Sequence, residues 1–189
     1  MGASQSRVED AAICARCALQ GPTCCSMDPG RVEFCFPLSE TEQGHVRECL
    51  PDSGGFVPQD NTAAFVDGVC RLFPGEDAQV RALFPPRKQH MRLAVDGRGA
   101  CRLLGPRGCL LPREARPYYC RLFPFWVAGE EITLFDAPGC LVRRESKTIQ
   151  AALALLHMTR AQVLDLHGRL RLLWGLPPKP GMAAVKRGF

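Results

Sequence analysis

The chain has 189 residues, 46% of them hydrophobic, and a formal charge of +5 at neutral pH. That is the size of one domain, with apolar mass enough for a core that needs no disulfide or metal to hold it, so its eleven cysteines require another explanation. The N-terminus shows no apolar stretch of a secretory kind, and the longest apolar run, residues 151–156, is far short of the roughly 20 residues of a membrane helix; the expectation is a cytoplasmic protein, where cysteines are ligands or catalysts more often than disulfides.

Residues 1–12 read as a polar lead-in, followed by a cysteine group, residues 14–25, and an irregular stretch, 26–37, with an Asp28-Pro29-Gly30 turn. Ser39 and Glu42 make a capping-box pattern, which predicts a helix over about 40–50. Asp60 or Asn61 caps a second helix that runs through about Leu72, and Pro74-Gly75 stops it; residues 76–83 read as another helical turn. Two β-hairpins are expected next. The first has strands 90–95 and 100–104 around Asp96-Gly97-Arg98-Gly99, and the second has strands 125–127 and 132–135 around Gly129. Apolar residues at helical spacing from Ile149 to Leu173 predict a helical tail over 146–174, with breaks at Thr159 or Gly168, and the proline-bearing end is read as loose. The expected fold is a small α+β cysteine-cluster domain over 10–145, with a helical segment, 146–175, packed on it and a loose tail, 176–189. Cys70-Arg71-Leu72-Phe73-Pro74 recurs at 120–124, but the flanks differ and no duplication follows.

Charge is segregated. Residues 1–70 carry four basic and ten acidic side chains, and residues 86–121 carry nine and two. Complementary parts of one domain would give this pattern. A nucleic-acid patch is the competing reading. A metal held by four thiolates is itself negative, and nearby arginines would offset it; with so many cysteines, this reading and the first outweigh nucleic acid. A protein partner is left open.

The cysteines fall into two groups. The first is Cys14-x2-Cys17-x6-Cys24-Cys25; the second is Cys101, Cys109, Cys120 and Cys140. A C-x2-C step lets two thiolates turn onto one ion, as in zinc and iron–sulfur sites. Adjacent side chains point apart, so Cys24 and Cys25 serve two metals, or one of them is a ligand and the other a supporting thiol. The four histidines are dispersed, a zinc ribbon would want a second C-x2-C step, and Cys14-Ala15-Arg16-Cys17 lacks the βαβ setting of a thioredoxin-like motif. No phosphate loop or nucleophile pattern stands out.

Taken with Gly108-Cys109 and Arg116-Pro-x-x-Cys120-Arg-x-Phe-Pro124, the first group resembles the YkgJ-type cysteine-cluster family over residues 10–145. The resemblance implies a zinc- or iron-chelating domain with eight ligand thiols: Cys14, Cys17, Cys24, Cys25, Cys101, Cys109, Cys120 and Cys140. They would form two four-cysteine sites, or one with the remaining thiols free, paired or switching. Cys35, Cys49 and Cys70 are extra to the pattern and read as ordinary buried thiols. The expected cofactor is zinc or an iron–sulfur cluster in a structural or chelating role. The alternative is an iron–sulfur protein with redox or accessory catalytic work, such as protein methylation or cofactor maturation. Arg116 either satisfies a carboxylate or donates hydrogen bonds to cluster sulfurs.

Overall fold

The computed structural model describes residues 12–178 apart from 22, 29, 32–34 and 53. The polar lead-in, Pro29 of the first turn and most of the tail lie outside the described residues. The chain is a mixed α+β fold in which three small two-stranded antiparallel sheets sit among short helices.

The first described element, α1 (Ala12–Gln20), is a helix where only a cysteine group was expected. It ends at Gly21, whose φ of 39° suits glycine and whose N–H bonds the Cys17 carbonyl. Then α2 (Glu40–Cys49) starts as the sequence dictates. The Ser39 hydroxyl accepts from the Glu42 N–H, and the Glu42 carboxylate accepts from the Ser39 N–H at 2.9 Å. The next helix, α3 (Ala63–Leu72), is capped by Thr62 rather than by Asp60 or Asn61. Those two residues are otherwise engaged, Asp60 as the last residue of strand β1 (Phe56–Asp60) and Asn61 through its amide to the Pro85 carbonyl. The turn expected over 76–83 is α4 (Asp77–Leu83).

The first expected hairpin is largely replaced. Strand β2 (Gln89–Leu93) pairs with β1, in register Phe56↔Leu93 through Asp60↔Gln89. Its other edge is used as well, because the Leu38 N–H bonds the Met91 carbonyl at 2.7 Å and Pro37 bridges Arg92. With both edges occupied, residues 100–104 have no strand to extend. What remains of the hairpin is its turn, held by the Asp96 carboxylate on the Arg98 and Ala100 N–H groups, and one bridge, Val95↔Cys101. A further short hairpin, β3 (Leu104–Gly105) with β4 (Gly108–Cys109), turns through Pro106-Arg107, and Gly108 has a φ of 106° that a side chain would oppose. The last hairpin, β5 (Phe125–Ala128) and β6 (Glu131–Leu134), forms as expected. Short α5 (Tyr118–Leu122) precedes it.

After β6 come three helices, α6 (Leu141–Glu145), α7 (Ile149–Leu155) and α8 (Arg160–Leu173), the last two forming the expected helical tail. Thr159 is the break, serving as N-cap of α8 with Gln162 in a second capping box, whereas Gly168 stays helical. One apolar cluster runs through the molecule from Ile13 to Leu176. It includes Phe65 and Val69 of α3, Phe125 and Trp126 of β5, and Val163 and Leu170 of α8. The tail helices therefore share the core of the preceding residues. Arg171, with a fully buried side chain, clamps this end: its guanidinium forks onto Glu76 at 2.9 and 2.6 Å and donates to the Pro177 carbonyl. A second, smaller cluster consists of Val46, Leu103 and Leu111. Nine of the eleven cysteines line the space between the two clusters.

Candidate metal centre

Helix α1 carries Cys14 and Cys17 one turn apart, on one face, beside buried Ile13. Arg16 on the outer side pairs with Glu145 at 2.7 Å, which ties α1 to α6, and Cys140 is the N-cap of α6. This exposed ion pair contributes orientation more than stability. After Gly21 the chain turns at Thr23, whose hydroxyl accepts from the Cys25 N–H. Residues 25–27 then lie along residues 99–101. The Cys101 N–H bonds the Cys25 carbonyl at 2.7 Å, the Met27 N–H bonds the Gly99 carbonyl at 2.8 Å, and Ser26 bridges Ala100. Backbone hydrogen bonds thus already join the two cysteine groups, across a long loop whose closure entropy grows only logarithmically with length.

Cys109 faces Leu104 across the β3–β4 hairpin. Cys120 sits in α5, whose first N–H, that of Tyr118, bonds the Glu42 carboxylate at 2.8 Å. Glu42 is 3% exposed, so one buried carboxylate both closes the α2 cap and fixes the helix that carries Cys120. Arg116 bonds carbonyls, those of Leu111 at 3.0 Å and Cys109 at 3.5 Å, and its charge acts on Cys25. Tyr119 stacks on Phe36, and Tyr118 lies under the Arg121 guanidinium.

All eight of the cysteines in the two groups line one cavity of about 230 Å³, and Cys35 lines it as a ninth. None of the nine is joined in a disulfide. Cys24 and Cys120 are exposed as residues, yet both form part of the cavity wall, and burial is the chief cause of the raised Cys120 pKa. Among the described residues no three Cys, His, Asp or Glu side chains are already gathered as a ligand set around one point; the thiols form a wall around a space rather than a closed knot. Two of the extra cysteines are elsewhere. Cys49 is exposed at the end of α2, contrary to the expectation of a buried thiol, and Cys70 is buried in the large cluster. Cys35, with its thiol against the Met27 sulfur, belongs to the cavity, and its irregular flanks gave no sequence signal of that. Of the histidines, His90 and His167 are buried in the fold rather than on its surface, and none lines the cavity.

The electrostatics follow from proximity and burial. Cys24 donates to Cys25, and this hydrogen bond, helped by Arg116 and Thr23 against the effect of burial, holds Cys25 down to about 7. The same bond, then burial, raises Cys24 well above the usual thiol range. Burial pushes Cys101 up to about 12, and it raises Cys120, Cys140 and the Tyr119 phenol as well. An apolar wall thus keeps most of these thiols protonated; a thiophilic cation is the partner that would draw them to thiolate, releasing protons as it binds.

No family model, curated protein or solved structure matches the chain. Among the described residues no helix is long and apolar enough to cross a membrane.

Proposed function

We propose that this chain is a metal-binding protein whose cysteine cavity holds zinc or an iron–sulfur cluster, in a structural or chelating role. The observation that carries the reading is the convergence of nine thiols, from α1, the turn after it, the segment before α2, the β3–β4 region, α5 and the start of α6, on one cavity. Thiolate-rich, oxygen-poor donor sets select zinc and iron–sulfur centres. Cys14, Cys17, Cys24, Cys25, Cys101, Cys109, Cys120 and Cys140 are the ligands assigned, the same eight that the YkgJ-type resemblance implies.

A second reading, an iron–sulfur protein with redox or accessory catalytic work, has its own support. Zinc sits about 2.3 Å from each of four sulfurs, and one such ion would leave most of a 230 Å³ cavity unfilled. Arg116, beside Cys25, is a donor near the sulfurs, and hydrogen bonds to cluster sulfurs tune the potential.

Elemental analysis and an absorption spectrum on protein purified without oxygen test both readings. Stoichiometric zinc in a colourless sample supports the structural site. Iron and sulfide with absorption near ~400 nm support the cluster. Wild type without either metal, or unchanged metal content in both Cys17→Ser and Cys120→Ser, would overturn the proposal.

A further inference from the structure

Cys35 stands outside the eight assigned ligands, yet it shares their cavity. Two residues on, Pro37 bridges Arg92, and the Leu38 N–H bonds the Met91 carbonyl at 2.7 Å, so the segment that carries Cys35 is pinned to the edge of β2. Met27 is pinned separately, by the bond from its N–H to the Gly99 carbonyl at 2.8 Å. Between them these two anchors bring the Cys35 thiol onto the Met27 thioether, Sγ to Sδ, at 2.7 Å. Cys35 is 8% exposed, and both side chains line the cavity. Met27 supplies the one thioether among the described residues that line it, and none of those residues is His, Asp or Glu.

We infer that Cys35 and Met27 form a two-sulfur site of their own for a soft monovalent cation, Cu(I). The inference goes beyond the metal reading above in place, ligands and class of ion, and none of the eight assigned cysteines takes part in it. The donor pair selects the ion. A thioether is neutral and polarizable and suits a soft cation, whereas zinc is held by thiolate, imidazole and carboxylate, and iron–sulfur clusters chiefly by thiolate. Oxidised copper beside Cys and Met takes imidazole as well, and no histidine lines the cavity, so the reduced ion is the one that fits. Charge points the same way. One thiolate on a monovalent cation is neutral overall, and the wall here is apolar, with Phe36, Leu38 and Leu93 among its residues; a divalent ion on the same pair would leave a net charge buried in it. Binding replaces the Cys35 thiol proton, which leaves to solvent, by the ion, with no change of oxidation state. The two sulfurs must part to admit it, and the unbranched Met27 side chain, which turns about three bonds, gives that room.

The test is nuclear magnetic resonance on the full chain, isotope-labelled at the methionine methyl carbons and kept reduced without oxygen, since each methyl group reports ligation at its own sulfur. Met27→Leu assigns the Met27 resonance. Cu(I) added to saturation should shift that resonance, Zn(II) should leave it in place, and Cys35→Ser should abolish the shift while binding as much zinc as wild type. A Met27 resonance that Cu(I) does not move, that Zn(II) moves equally, or that moves in Cys35→Ser as in wild type would overturn the inference; so would loss of zinc from Cys35→Ser, which would make Cys35 a ligand of the main centre. A second measurement serves where Cys35→Ser loses its fold by circular dichroism. Met27→Leu keeps the side-chain volume, and against a chromophoric Cu(I) chelator it should hold one Cu(I) fewer than wild type at unchanged zinc content; equal Cu(I) in the two proteins would refute the site. The two readings fail separately, because wild type without zinc or iron removes the one above, and the methionine signal decides this one.

Discussion

Glu42 is the residue through which α2 and the Cys120 helix hold each other. Its carboxylate is 3% exposed and uses both oxygens. One accepts from the Ser39 N–H at 2.9 Å and the Ser39 hydroxyl at 2.7 Å; the other accepts from the Tyr118 N–H at 2.8 Å. Glu42→Gln keeps the shape but turns one oxygen into an NH₂ group that faces a donor. A buried hydrogen bond to a charged group contributes about 1.5–3 kcal/mol, so the variant should lose about 2–3 kcal/mol. At roughly 2–4 °C per kcal/mol for a chain of this size, its Tm should fall by about 5–10 °C. Glu42→Ala loses the cap as well and should fall further. Calorimetry or thermal circular dichroism on metal-free protein makes the measurement. If the cavity takes metal as proposed, the metal-loaded protein should show a smaller gap between variant and wild type, because ligation of Cys120 would hold α5 independently. A Glu42→Gln protein melting within about 2 °C of wild type in both states would refute the argument that this carboxylate bears the load between the two helices.

Three further outcomes are expected. Glu76→Gln strips the fully buried Arg171 side chain of its counter-charge; this should cost about 3–5 kcal/mol in urea unfolding, and adding Arg171→Met should recover much of the loss, whereas a wild-type midpoint for Glu76→Gln would refute it. His90 is held at about 4 by burial and then by Arg92, below the histidine value of about 6.5 in an unfolded chain; its stabilising effect is therefore complete above about pH 6.5 and lost as pH falls toward 4, with a slope of at most ~1.4 kcal/mol per pH unit. His90→Gln should flatten that slope in metal-free protein, and identical pH profiles for variant and wild type would contradict the assignment. Cys49→Ser and Cys70→Ser change thiols outside the cavity, so both should bind as much metal as wild type; a drop in the Cys49 variant, whose site is exposed, would show that the cavity is not the whole metal site.

Local chemistry made some of this protein legible from its residues alone. Ser39 and Glu42 announce a helix start because their groups satisfy each other within one turn. Residues 125–134 announce a hairpin by alternation about a glycine turn, and Thr159 announces the break between α7 and α8. The grouping of Cys14, Cys17, Cys24 and Cys25 singles out candidate ligands before any fold is known. What needed the tertiary structure is whatever depends on distant partners. Residues 100–104 alternate as a strand should, yet β2 gives its edges to β1 and to Pro37 and Leu38, which are remote in sequence. Glu42 reads as a cap in the sequence, and only the fold brings Tyr118 to its second oxygen. Cys35, Cys49 and Cys70 are alike as isolated cysteines, and packing alone sends one to the cavity, one to the surface and one to the core. The sequence determined which thiols are numerous and near each other along the chain; the tertiary structure decided which of them face one space, because a side chain's neighbours are set by how helices and strands pack and not by spacing along the backbone.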